Sequence, residues 1–306
     1  MSALAAPSER LGTWASLAAA SRSWRTLSVA LLSFAQGLPL GLVWVAIPDW
    51  LRDIGVDIRW VGLITFAQAP WTFKFLWSLL LDRWRSPGLG WLGRWWGWAA
   101  VAQVALFVFT LGLAGVADNP DAPWIIAALA LTIAMASASQ DIAIDAYAIN
   151  VLRPKEQRIA AGARVAVYRV AMWVSGFIAI SMAGEIGWPR VVLGLAVLYL
   201  PMLAVTFAAP EPEEPTVAPK SLKAAVWHPF LGFLTRHRAL EILAFVFFYK
   251  LVDQLADALK RPFLIDMGYD AWDRGVILGT LGTVTMVAAI LIGGTLTTVV
   301  GLSHSL

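Results

Sequence analysis

The chain of 306 residues has no cysteine and only three histidines. The first absence removes disulfides, thiol nucleophiles and thiolate metal sites from consideration, and says little about compartment. The histidines, His228, His237 and His304, all fall outside the apolar stretches. No histidine-based metal or acid–base cluster is therefore expected at membrane depth, and no cofactor is implied. Charge is scarce too: 14% of residues are Asp, Glu, Lys or Arg, where a soluble domain carries roughly 25%. The net charge of +3 suits the loops of a membrane protein better than a nucleic-acid surface.

What remains is apolar, at 59% of the residues. Several stretches reach the ~20 residues that cross a bilayer as a helix. Helix is the expected form because lipid offers backbone groups no partner outside their own segment. Eight spans are expected, at 27–50, 60–81, 95–116, 123–150, 159–183, 188–208, 239–261 and 274–300. The fold class is an all-α polytopic membrane protein, with the lipid bilayer as its first partner.

Residues 1–26, with Arg10, Arg22 and Arg25, read as a cytoplasmic N-terminal tail rather than a cleaved leader. Residues 27–208 form an expected six-helix bundle. The Pro- and Glu-rich interval 209–238 is an expected cytoplasmic linker, and 239–306 a partial second bundle of two helices. With the N-terminus inside, the inner segments hold 13 Lys and Arg and the outer loops 6, the bias expected of that orientation. The tryptophans of WLGRWWGW at 91–98 suit the inner interface.

A few charges nevertheless fall within the spans. Asp141 and Asp145, in SASQDIAIDAY with Gln140 beside them, lie at i and i+4 and share a helix face. At about 6 Å and an effective dielectric near 20 they repel by roughly 3 kcal/mol. Either one holds a proton or each has a cationic partner. Depth suggests the partners. At about 1.5 Å per residue, Asp145 and Arg164 lie about 8 Å from the inner end of spans four and five. Asp141 and Arg169 both lie about 14–15 Å deep on the same scale. The expected pairs are thus Asp145–Arg164 and Asp141–Arg169. One reading is a structural ion-pair ladder. The other is a proton or substrate pathway lining a polar cavity, the common meaning of charge inside a bundle.

YKLVDQLADAL, 249–259, repeats the pattern with Lys250, Asp253 and Asp257 on one face. Lys74, in WTFKFLW, has no opposite charge within a turn of its own helix. LLLDRWR, 79–85, reads either as an inside-positive flank or as a latch in which Asp82, Arg83 and Arg85 pair across the bundle in one gate state. No nucleophile–base or metal constellation occurs at membrane depth, so an enzyme is not expected.

LDRWR between spans two and three resembles the loop signature of the major facilitator superfamily. Six spans, a long linker and further spans resemble its two-half design. GLPLGL (37–42), WLRDIGVD (50–57), FKFLWSLLLDRW (73–84), SASQDIAIDAYAINVL (137–152) and YKLVDQLADAL (249–259) resemble the AmpG-type muropeptide permeases within it. The resemblance implies a bacterial inner-membrane symporter that imports anhydro-muropeptides with protons. It implies a six-helix first bundle and the first two helices of a second, from a family design of twelve or more spans. Asp141, Asp145 and Asp253 are then the proton or substrate candidates, with Lys74 and Arg169 holding the solute's carboxylates. Two alternatives stay open: a carrier of another, nucleotide-like organic anion, or a truncated membrane protein that does not transport.

Overall fold

The structure, a computed structural model, describes residues 23–53, 55–57, 59, 64–84, 86, 94–116, 123–210, 231–268, 281–282, 284–286, 288–289 and 292. Most of the N-terminal tail, residues 211–230 of the expected linker and most of the expected span at 274–300 lie outside these. The chain divides into two compact units, Met1–Thr216 with Thr285–Leu306, and Val217–Val284.

Every described element is helical. In the first unit, α1 (Trp24–Gly41) continues through a π-turn (Leu42–Ala46) into α2 (Ile47–Asp53). A 3₁₀ turn (Thr65–Gln68) leads into α3 (Ala69–Phe73) and α4 (Phe75–Arg83). Then come α5 (Arg94–Gly115), α6 (Pro123–Val151) and α7 (Pro154–Trp173). A second π-turn (Val174–Ile178) joins α7 to α8 (Ala179–Ile186), followed by α9 (Trp188–Val197) and α10 (Tyr199–Ala208). Five stretches are long and apolar enough to cross a membrane: Trp24–Leu51, Trp95–Gly115, Pro123–Val151, Ala160–Ile186 and Trp188–Ala208. They coincide with the expected first, third, fourth, fifth and sixth spans, and the chain is a multi-pass, all-α membrane protein.

The expected second span, 60–81, is described in shorter pieces, and proline explains one joint. Pro70 has no N–H to donate to the Phe66 carbonyl, so the Ala69 N–H closes onto Phe66 O in a tighter, 3₁₀ bond. In α1, Pro39 likewise interrupts the ladder. The wider Ile47 N–H to Leu42 carbonyl bond forms just beyond it.

The main packing partners are α1 with α7 and α5 with α6, while α9 and α10 pack on α5. The α1–α7 contact depends on glycine. A Cβ at Gly37 would collide with the Tyr168 carbonyl oxygen, and one at Gly41 with Ser175 Oγ and the Met172 carbonyl. Small residues spaced by four are the usual means of close backbone approach between membrane helices. Further along, a Cβ at Gly176 would come within 3.1 Å of Val45 Cβ, so the two π-turns also face each other.

The apolar side chains of this unit gather in two clusters. One holds Leu38, Leu42, Trp50, Ile133 and Ala171, with Trp50 stacked on Trp188 at 5.6 Å. The other holds Val29, Leu32, Trp95, Ile144, Tyr147 and Ala160. On α1, residues 33–36 fall between the two clusters. On α6 residues 134–142 do so, and on α7 residues 161–170. Asp141, Arg164 and Arg169 fall within these intervals, the seam between the clusters, and Asp145 lies one turn beyond Asp141 on α6.

In the second unit, α11 (Ala239–Asp266) contains the expected seventh span. Its residues 240–252 are all exposed, Phe245, Phe247, Phe248 and Val252 among them. It carries apolar side chains on every face, as a helix destined for lipid or for other helices does.

Candidate functional site

At the seam lies an open cavity of about 400 Å³. Ser33 and Gln36 of α1 line one side, and Asp141 and Asp145 of α6 another. Lys74, between α3 and α4, closes a third. The remaining wall is α7, through Ala161, Arg164, Val165, Tyr168 and Arg169. Helical geometry puts these residues together. Ser33 and Gln36, Asp141 and Asp145, and Ala161, Arg164, Val165 and Tyr168 each follow the three- or four-residue spacing of a single helix face.

The charges form a connected network. Arg164 Nη2 donates to Asp145 Oδ1 at 2.5 Å, and Arg164 Nε to Ser33 Oγ at 3.3 Å. Gln36 Nε2 donates to the same Asp145 oxygen at 3.4 Å. Lys74 Nζ lies 3.5 Å from Asp141 Oδ2 and 4.0 Å from Asp145 Oδ2, so one ammonium bridges both carboxylates. The Asp145–Arg164 pair expected from depth is present. The other expected partner is not the one found, because Asp141 faces Lys74 rather than Arg169. Depth along α6 and α7 accounts for Asp145–Arg164, but Lys74 reaches Asp141 from a segment outside those two helices. Lys74, without a partner in its own helix, finds one across the bundle.

The two aspartates differ in solvent access. The Asp145 side chain is 47% exposed and the Asp141 side chain 9%. Asp141 Oδ1 is buried with no hydrogen-bond partner among the described residues, and so is Arg169 Nε. Three cations and two carboxylates line the cavity, leaving one formal positive charge in excess when both aspartates are ionised. Such a site favours an anion.

Two indoles hold the α3–α4 segment against α6. Trp71 Nε1 donates to Ser137 Oγ and Trp77 Nε1 to Ser139 Oγ, each at 3.2 Å.

The other sequence candidates lie elsewhere. Gln140 is fully buried outside the cavity lining, and neither atom of its amide has a partner among the described residues. Lys250 is exposed on α11, in the second unit. Asp253 and Asp257 fall in α11 and Asp82 in α4, but their side chains are outside the described residues, as is the whole of Arg85. Arg83 is exposed at the end of α4. Sequence reasoning missed Ser33, Gln36 and Tyr168. Gln36 could have been noticed as the one amide in the run SFAQGLPLG.

Comparison with known proteins accords with this architecture. The Major Facilitator Superfamily model matches residues 29–302. The "Anhydromuropeptide permease" of Escherichia coli (strain K12) is 36% identical over 274 residues, covering 89% of this chain and 55% of that protein. An "Uncharacterized protein" of Haemophilus influenzae is 31% identical over 287 residues, covering 92% of this chain and 67% of the relative. The "Putative transporter AmpG 4" of Rickettsia felis is 28% identical over 284 residues, covering 89% and 66%. The chain thus spans about half the length of its Escherichia coli relative. The helical architecture, the family match and these relatives together place the chain in the Major Facilitator Superfamily, a family of transporters rather than enzymes, among its AmpG-type members.

Proposed function

We propose that this chain takes part in proton-coupled import of anhydro-muropeptides or related amino-sugar peptides across a bacterial inner membrane, with its N-terminus and the 209–238 linker in the cytoplasm. The observation that carries this reading is the cation-rich cavity in which Lys74 bridges Asp141 and Asp145. The permease name of the Escherichia coli relative supplies the solute class.

In this reading Asp141 carries the proton. While it is ionised it holds Lys74. A proton on Asp141 removes that attraction, and the freed Lys74 ammonium, together with Arg169, takes a solute carboxylate. Loss of the proton on the other side restores the Lys74–Asp141 pair and releases the solute. Asp145, held by Arg164 and Gln36, keeps its charge and positions Arg164. Gln140 supports α6 beside Asp141. Asp82, Arg83 and Arg85 act as a latch, and Lys250, Asp253 and Asp257 form a second polar set.

The test is uptake of labelled anhydro-muropeptide into proteoliposomes holding the purified chain, with and without an inward proton gradient. Gradient-dependent accumulation is expected. Asp141→Asn is expected to abolish it while leaving equilibrium binding and counterflow intact. Uptake by the unaltered chain that ignores the gradient, or Asp141→Asn that still accumulates solute, overturns the coupling. The excess positive charge also suits other organic anions, and a competing nucleotide that displaces the muropeptide would move the solute assignment to that class.

A further inference from the structure

We propose that Trp44 and Trp71 form the platform on which the apolar face of the solute's sugar ring rests, one helical turn from the cations that take its carboxylate. This rests on the amino-sugar reading of the cavity and adds to it a second, uncharged subsite.

The placement follows from three helices. α1 and α6 run antiparallel, with Gln36 donating to Asp145. Eight residues beyond Gln36, in the π-turn that continues α1, is Trp44, and eight residues back along α6 from Asp145 is Ser137, which brings the two to about the same level. Trp71 confirms that level, because its indole donates to Ser137 Oγ. Trp44 and Trp71 meet edge to face, with ring centroids 6.1 Å apart and planes at 85°. Ser33 and Gln36 line the cavity, and Trp44 lies beyond its lining, where the π-turn continues α1. On α6, Ser137 precedes Asp141 by one turn, about 6 Å along the axis. An aromatic corner therefore stands about one turn from the Lys74–Asp141 pair.

The chemistry suits a particular kind of solute. A pyranose ring has one face made of C–H bonds, weakly positive, which stacks against the negative face of an indole. Its hydroxyls and acyl groups point outward to polar partners. Trp44 is 42% exposed, so part of its ring is left uncovered by the protein, while Trp71 is fixed by its bond to buried Ser137. A solute with a sugar ring about 6 Å from a carboxylate spans the corner and the cations. A simple peptide reaches only the cations.

Equilibrium binding to the purified chain separates the two subsites, using labelled anhydro-muropeptide and the same peptide without its sugar. Trp44→Leu is expected to weaken the anhydro-muropeptide roughly five- to tenfold, the size of one aromatic contact, and to leave the peptide unchanged. Trp44→Phe, which keeps a π face, is expected to retain most of the affinity, and both variants to match the parent's melting temperature. If Trp44→Leu binds both probes as the parent does, or weakens both equally, the platform is wrong while the solute reading stands. If the unaltered chain binds no anhydro-muropeptide, the solute reading falls and the platform with it.

Discussion

The two sides of the cavity are built in opposite ways. Where α1 meets α7, the α1 backbone comes too close for a side chain: a Cβ at Gly37 would meet the Tyr168 carbonyl, and one at Gly41 the Met172 carbonyl and Ser175 Oγ. Where the α3–α4 segment meets α6, long side chains span the gap: Trp71 to Ser137, Lys74 to Asp141, Trp77 to Ser139. A glycine set against a backbone carbonyl has little freedom to adjust, because the carbonyl cannot rotate to take up a shift. Side-chain bonds are each worth about 1 kcal/mol and can be exchanged for others. The first seam is a fixed wall. The second is a set of separable bonds, and it contains the lysine that bridges both aspartates.

The fixed wall is the place to expect the largest effect of a small change. Gly41→Leu drives a branched side chain into Ser175 Oγ and the Met172 carbonyl, and the carbonyl cannot rotate away. Overpacking of this kind costs roughly 3 kcal/mol or more. The variant is expected to lose its monodisperse peak in size-exclusion chromatography. A well-behaved Gly41→Leu protein with the parent's melting temperature would show that the α1–α7 contact is looser than described.

On the other side, Lys74→Met strips Asp141 of its cation and leaves a buried carboxylate. Breaking a buried pair from one side costs about 3–5 kcal/mol, here toward the low end because Lys74 is 35% exposed. Adding Asp141→Asn should recover most of that loss, since no unpaired charge is then left. Combining Asp141→Asn with Arg169→Gln should show no such recovery. A double-mutant cycle on melting midpoints distinguishes the pairs. Recovery through Arg169 and not Lys74 would restore the pairing inferred from depth alone.

That pairing shows what the sequence could and could not reveal. Five long apolar spans were legible because their hydrophobic length leaves little else for them to be. Asp145–Arg164 was legible because the two lie on consecutive antiparallel helices, where counting residues from the turn fixes relative depth. Lys74–Asp141 was not, because it joins helices 67 residues apart in the chain, whose neighbourhood no local spacing encodes. The same holds for Ser33, Gln36 and Tyr168, which become cavity residues only through the α1–α7 contact. GLPLG could be read as a tolerated bend. That Gly37 and Gly41 are packing positions depends on what lies opposite them.

A smaller effect is expected at Trp77. Its indole donates to Ser139 Oγ, and Ser139 also donates to the Met135 carbonyl, so its hydroxyl keeps a partner when the indole is lost. Trp77→Phe should therefore cost about 1 kcal/mol, the worth of one neutral hydrogen bond. A shift in melting midpoint as large as that of Lys74→Met would mean that the α3–α4 segment depends on its indoles rather than on its ion pair.

The smallest effect is expected where the geometry is tightest. Asp145 and Arg164 approach to 2.5 Å, closer than Lys74 and Asp141 at 3.5 Å, and by distance alone Asp145 should matter more. Exposure reverses the order. The Asp145 side chain is 47% exposed and that of Arg164 24%, so water and salt reach the pair and weaken it, whereas Asp141 is at 9%. Exposed ion pairs are worth about 0–1 kcal/mol. In Asp145→Asn the amide oxygen can still accept from Arg164 and Gln36, so only the charge is lost. The melting midpoint of Asp145→Asn should fall slightly at low ionic strength, and the difference from the parent should fade as salt is added. The deficit of Lys74→Met, which involves a buried carboxylate, should persist in salt. If Asp145→Asn instead destabilises as strongly as Lys74→Met, and keeps doing so at high salt, then Asp145 is the aspartate that holds this wall together. Asp141, paired through the longer contact, would then be the freer of the two, and the separable bond between the walls would lie at Lys74 alone.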